Sequence, residues 1–282
     1  MQLATCKVRG LIRLAVRDGD HLLLWPRHAA CDIVETAMTR PPVPPTAERV
    51  PLAGVTFLPP VPAPEKILCV GVNYREHAAE MAGQRDPLHP SLFCRFPSSQ
   101  VGHREPIVAP AVSEQFDFEG ELAVIIGRPA WRIEREAASA CIAGYSCFAE
   151  NSVRDYQKHA AQITPGKNFL RSGAFGPWLT TADEIPNLGE LTLTTRLNGQ
   201  VMQHAALATM IFQVPELIAY ISSFTRLQPG DVISTGTPAG VGALRKPPVW
   251  MRPGDRLEID IPGIGCLENS VVAEDETLAE TS

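Results

Sequence analysis

The sequence is poor in aromatic residues, 6% of 282, and no two of its cysteines stand in a C-x-x-C arrangement. Its seven cysteines, at positions 6, 31, 69, 94, 141, 147 and 266, are scattered and odd in number. That spacing supports neither a cysteine-built zinc site nor a disulfide framework. Several lie in apolar runs, as Cys69 does in KILCVG, so they read as buried, reduced thiols of a reducing compartment. No apolar stretch approaches the length that crosses a bilayer, and the opening MQLATCKVRG lacks the charged, apolar, small layout of a secretion signal. A cytoplasmic location with no membrane partner is the expectation. Runs of like charge are missing too. With 25 basic and 31 acidic side chains the net charge is −6, which speaks against nucleic acid as a partner. The nucleotide-binding G-x-G-x-x-G arrangement is absent, and the glycine run of STGTPAGVG lacks the Lys-Ser/Thr that completes a P-loop.

What is present is an ordinary globular composition, 45% hydrophobic and 20% charged, with 26 prolines that favour a loop-rich protein over a helical bundle. In RGLIRLAVRDGDHLLLW, Ile12, Leu14 and Val16 alternate with Arg13 and Arg17, and Asp18-Gly19 supplies a turn, which predicts a hairpin. Prolines crowd residues 40–64 and read as a linker laid over a surface. A small N-terminal β-rich domain over 1–60 and a catalytic domain over 65–275 are therefore expected. In the latter, KILCVGVN reads as a buried strand and YREHAAEMA as a short helix; 119–127 is a strand, 132–142 a helix, GYSCFAEN extended, and SVRDYQKHAAQ a helix. Asn198-Gly199 tips a hairpin, Leu217, Ile218, Ile221 and Phe224 mark a helix face after Pro215, and Pro-Gly-Asp turns at 229–231 and 253–255 introduce strands. The balance is a β-rich α+β fold.

The most informative run is QFDFEGELAVIIG. Side chains alternate along a strand, so Glu119 and Glu121 share one face while Leu122, Val124 and Ile126 take the other. Two neighbouring carboxylates on a half-buried strand need a cation, a shared proton or open water. Paired glutamates on a solvent-facing strand are common, but Ala123 and Ile125 on the glutamate face favour a pocket. Gly120 between them admits a close neighbour.

FDFEGELAVIIG resembles the metal-binding strand of the fumarylacetoacetate hydrolase family, whose pattern is acidic-aromatic-E-G-E-L. The resemblance continues through KILCVGVNYREHAAEM, PSLFCRFPSSQVG, GYSCFAENSVRDYQ, TPGKNFLRSGAFGPWL, ISTGTPAGVG and RPGDRLEIDIPGIGCLEN, in uninterrupted order over residues 65–270. It implies a mixed β-roll, a homodimer, and Mg²⁺ or Mn²⁺ held by Glu119, Glu121 and a third acid. That third position, an aspartate in the family, is Glu150 here, one methylene longer. All-carboxylate ligation suits such a hard ion over zinc.

The resemblance further implies an acid–base pair, His77 and Glu80, one turn apart on a lid helix. The stretch from Gly83 to Pro90 would let that lid open and close. Lys167 in TPGKNF matches the family's active-site lysine, while Arg95, Arg154 and Thr237 are expected at the substrate. Arg95 stands where relatives carry lysine, and Arg154 serves equally well as a scaffold paired with acids. The implied reaction is hydrolysis of a 2,4-dioxo acid through a pyruvate enolate. The same residues suit decarboxylation of an oxo-acid or isomerisation of a 2-hydroxy-dienoate, and the Glu150 departure also admits a silent relative that binds an oxo-acid without turning it over.

Overall fold

The computed structural model describes residues 1–26, 32–80 and 86–274. Strand follows strand from the start: β1 (Gln2–Val8), β2 (Leu11–Asp18) and β3 (His21–Leu24), then helix α1 (Ile33–Thr39), β4 (Glu48–Pro51) and β5 (Thr56–Phe57). Next come β6 (Ile67–Gly71), helix α2 (Arg75–Glu80), β7 (Ser91–Arg95), β8 (Gln100–Val101), β9 (Ile107–Ala109) and β10 (Phe116–Asp117). β11 (Gly120–Ile126) leads to β12 (Ile142–Ala149), β13 (Ser152–Val153), the one-turn helices α3 (Arg154–Gln157) and α4 (Thr164–Lys167), and β14 (Gly173–Thr181). The chain closes with β15 (Thr192–Leu197), β16 (Gln200–Ala206), α5 (Val214–Phe224), β17 (Val232–Ser234), β18 (Arg256–Ile261) and β19 (Gly265–Ala273).

A twelve-stranded sheet runs β4-β3-β2-β1-β14-β12-β11-β17-β6-β7, with β5 beside β1 and β8 beside β14. A five-stranded sheet runs β16-β15-β18-β19-β9, and β10 pairs with β13 alone. The result is the strand-rich mixed architecture expected. The N-terminal strands extend the large sheet directly, since Gln2 and Leu3 pair with Thr180 and Leu179. None of the helices among the described residues is long and apolar enough to cross a membrane.

β11 sits between the layers, and its alternation decides what covers each face. Leu122, Val124 and Ile126 enter one core with Leu193, Leu257 and Ile259 of the five-stranded sheet and with Leu217 and Ile221 of α5. Ala123 and Ile125 enter the other core with Leu3, Val16, Ile33 and Val34 from the N-terminal segment. Every residue of β11 is buried, so the strand is covered on both faces rather than half-buried. Burial of two apolar faces contributes roughly 25 cal/mol per Å² and fixes the strand that carries the glutamates.

Several local expectations need correction. Residues 135–141 form tight 3₁₀ turns rather than an α-helix. In SVRDYQKHAAQ only Arg154–Gln157 is helical, because Ser152 and Val153 are drawn into a ladder with Asp117 and Phe116. The proline-rich segment is not wholly a linker: β4 pairs with β3, and β5 with β1. Phe224 closes α5 but is 56% exposed, while Leu217, Ile218 and Ile221 form the buried face. The first hairpin turns at Gly19-Asp20, between paired Asp18 and His21, one residue later than expected. Asn198 and Gly199, both with positive φ, make the tip of the β15–β16 hairpin as predicted.

Candidate metal centre and active site

Glu119, Glu121 and Glu150 converge, each offering an oxygen within 4.8 Å of the others. The ladder explains why: Gly120 lies opposite Ala149, and the Glu150 N–H donates to the Glu119 carbonyl at 2.9 Å. Glu121 is pinned through one oxygen, Glu119 and Glu150 through both. Glu119 Oε1 accepts from Ser152 Oγ at 2.8 Å and meets Arg154 Nη2 at 2.6 Å. Glu121 Oε2 accepts from Ser234 Oγ at 2.6 Å and from the Gly236 N–H at 2.8 Å. Glu150 Oε1 accepts from Arg95 Nη1 at 3.0 Å. The Lys167 ammonium bridges the remaining oxygens of Glu119, at 3.2 Å, and of Glu150.

These acids do not share one electrostatic fate. Burial opposes the charge of Glu119, but Arg154 and Lys167 outweigh it and hold the carboxyl far below its ordinary range. Burial, then the charges of Glu150 and Glu119, push Glu121 far above it. Burial also raises Glu150, in spite of Lys167 and Arg95. Glu121 is thus a fully buried carboxylate with hydrogen-bond donors but no cation in contact. Three hard oxygens facing one space, with one acid lacking a counter-charge, fit a divalent ion such as Mg²⁺ or Mn²⁺.

Gly120 owes its identity to the opposite sheet: a Cβ there would collide with the Thr195 hydroxyl. Thr237, expected at a substrate carboxylate, donates to the Gly120 carbonyl at 3.0 Å and accepts from Gln203 Nε2 at 2.8 Å. Arg95 is fully buried and directed at the protein: Ser99, Glu150, the Asn151 carbonyl and Ser172 all accept from it. With Lys167, it acts here as a counter-charge of Glu150. Arg154 lies between Asp117, at 2.8 Å, and Glu119.

Lys167 ends α4 and lies under the Phe93 ring, 5.0 Å from its centroid. Burial disfavours its charge, yet Glu119 and Glu150 raise its pKa above the ordinary value, so it stays an ammonium. His77 is buried on α2, and burial lowers its pKa, leaving the ring neutral. Its Nδ1 lies 3.5 Å from Glu80 Oε2 but makes no hydrogen bond. Of the proposed lid stretch, residues 83–85 lie outside the described residues.

Sequence reasoning passed over Asp117, although it precedes Glu119 and Glu121 at the same odd spacing. Asp117 accepts from Gly242 N at 2.7 Å, Ala243 N at 3.0 Å and Arg154, tying the glycine-rich turn to the glutamate strand. Ser152, Ser234 and Gln203 were also missed, since a lone hydroxyl or amide carries no spacing signal.

A strand-rich double-sheet body encloses three buried, convergent carboxylates and a lysine, an arrangement that could hold a hard cation. The chain belongs to the fumarylacetoacetate hydrolase family: residues 66–272 match its description, "Fumarylacetoacetate (FAA) hydrolase C-terminal". It is 39% identical over 224 residues to the mitochondrial oxaloacetate tautomerase Fahd2a of Rattus norvegicus, covering 79% of this chain and 71% of that one. Among solved structures it is similar to fumarylacetoacetate hydrolase from Exiguobacterium antarcticum, with TM-score 0.87, 33% identity, and coverage of 97% and 100%. Maleylpyruvate hydrolase from Sphingobium sp. SYK-6, solved with manganese(II) and pyruvate, aligns with TM-score 0.80 and 30% identity over 98% and 100%.

Proposed function

We propose that this protein catalyses metal-dependent keto–enol interconversion of a small oxo-diacid of the oxaloacetate kind. The observation that carries the reading is the set of three buried carboxylates with Lys167 beside them, a site suited to gathering negative charge on oxygen. The tautomerase name of a relative 39% identical over most of both chains supports the choice among enolate reactions.

Glu119, Glu121 and Glu150 would hold Mg²⁺ or Mn²⁺, which supplies Lewis acidity to the oxo-acid end of a bound substrate. His77, kept neutral by burial, accepts the proton from the carbon next to the carbonyl and returns it at oxygen. Lys167 places a fixed positive charge where the enolate develops, and its buried setting strengthens that interaction. Glu119 is held ionised by Arg154, so the cage keeps its ligand without competition from a proton.

Hydrolysis of a 2,4-dioxo acid is a second reading, favoured by the proximity of Glu80 to His77, a pair able to activate water. The test follows decay of enol-oxaloacetate absorbance with Mg²⁺, Mn²⁺ and chelator, alongside pyruvate release from a panel of acylpyruvates. Fast metal-dependent ketonisation with little pyruvate release is the expected result. Efficient acylpyruvate cleavage with no ketonisation would establish the hydrolase instead, and activity unaffected by chelator would overturn both.

A further inference from the structure

Glu80 faces His77, but its hydrogen bonds go elsewhere. Both of its oxygens accept from the Gly240 N–H, at 3.2 and 3.1 Å, across 160 residues of sequence. That amide is presented by an unusual seat. The β15–β16 ladder shifts register between Thr195 and Arg196: Thr195 pairs with Gln203 but Arg196 with Val201. Met202 is therefore the extra residue of a bulge, and bulges re-aim the groups around them. Gln203 beside it reaches the Gly120 N–H, the Thr237 hydroxyl and the Pro238 carbonyl. The Met202 carbonyl accepts from Arg245.

Gly240 rests on this bulge. Its φ is +100°, and a Cβ would collide with the Met202 carbonyl, so only glycine lets the turn settle there. Arg245 then closes the arrangement, its Nε donating to the Gly240 carbonyl at 3.0 Å. The guanidinium is directed at two main-chain carbonyls, Gly240 and Met202, rather than at a carboxylate. The same turn is anchored to the glutamate strand at both ends, through Gly236 to Glu121 and through Gly242 to Asp117.

The geometry points to Arg245 as a positioning residue that, with Gly240 and the Met202 bulge, forms the catch to which Glu80 fastens α2, thereby fixing the position of His77. Arg245 fixes the plane of the turn, the turn offers its amide, and Glu80 takes it. His77, one helical turn away on the same short helix, is placed as a consequence. A helix of six residues has little stability of its own, so a single charge-assisted hydrogen bond at its end matters to its docking. The role of the catch in turnover rests on the reading of His77 as the proton-transfer group; the docking itself does not.

The experiment is amide hydrogen exchange over residues 75–80 of the Mn²⁺-loaded protein, with residues 120–126 as the internal reference. Arg245→Met is expected to speed exchange over 75–80 by about tenfold or more, the loss of one such hydrogen bond, and to leave 120–126 unchanged. Arg245→Lys, which retains a donor, should restore most of the protection. Glu80→Gln, made in the otherwise intact chain, should loosen the same amides and covers the case in which Arg245→Met fails to fold. Arg245→Met combined with Glu80→Gln should be no looser than Glu80→Gln alone. In turnover, Arg245→Met should lower kcat more than it raises KM. Unchanged exchange over 75–80, or additive effects in the double variant, would overturn the catch. Looser amides with turnover unaffected would leave the docking intact and overturn the positioning of His77.

Discussion

Replacing Glu121 by glutamine should stabilise the metal-free protein and cripple its response to metal. Glu121 is buried among other acids, and its pKa in the folded chain lies far above the ordinary 4.5. A carboxyl shifted in this direction retains its full stability contribution below the unfolded value and loses it as pH rises toward the folded one. In chelator the wild type therefore loses about 1.4 kcal/mol for each pH unit between the unfolded and the folded pKa. Glutamine cannot ionise, and its amide oxygen can still accept from Ser234 and Gly236. Glu121→Gln should thus melt higher than wild type in chelator near neutral pH, by about 2–4 °C for each kcal/mol recovered. Added Mn²⁺ reverses the order, since an ion about a thousandfold above its dissociation constant stabilises the protein that binds it by about 4 kcal/mol. Thermal unfolding followed by fluorescence from about pH 5 to about pH 8, with chelator or Mn²⁺, measures both effects. If the variant is less stable than wild type in chelator, or the gap does not widen with pH, Glu121 is not the uncompensated acid of the cage.

Three further outcomes are expected. Arg95→Met removes one of the two counter-charges of buried Glu150, Lys167 being the other, and should cost about 3 kcal/mol or more in urea unfolding, largely recovered in Arg95→Met/Glu150→Leu; a loss below about 1 kcal/mol would contradict the pairing. Gly120→Ala should destabilise by about 1–3 kcal/mol through its collision with Thr195, and Thr195→Ala should relieve most of that if the contact is the cause. His103 is buried, accepts from the Glu268 N–H at 3.1 Å, and has its pKa lowered to about 3, burial being the main cause. A base shifted downward contributes stability present above 6.5 and lost as pH falls toward about 3, so unfolding in urea should show a fall of about 1.4 kcal/mol per pH unit in that window, flattened in His103→Gln.

The site was partly legible because its chemistry sits on a regular element. Glu119 and Glu121 share a face through strand periodicity alone, and the His77–Glu80 spacing places both on one side of a helical turn. The Asn198-Gly199 hairpin was legible for a similar local reason. What escaped depends on contacts between distant segments. Arg154 reads as part of a helix begun at Ser152 and as a scaffold beside acids, but that its anchor is Asp117, and that the two preceding residues are captured as a strand, was not legible. Arg95 looks like a substrate ligand until the fold surrounds it with four acceptors. The seat of Gly240 needs a bulge in one hairpin, an arginine in a later loop and a glutamate from an earlier helix, and no window of sequence contains all three.

The ammonium of Lys167 has a chemical consequence beyond charge. A primary amine close to an oxo-acid condenses with its carbonyl only when it is neutral and free to attack. Clasped by Glu119 and Glu150, and raised above its ordinary pKa by them, Lys167 is neither. The cage that suits a cation thereby also keeps its own lysine from forming an imine with a carbonyl compound that reaches it.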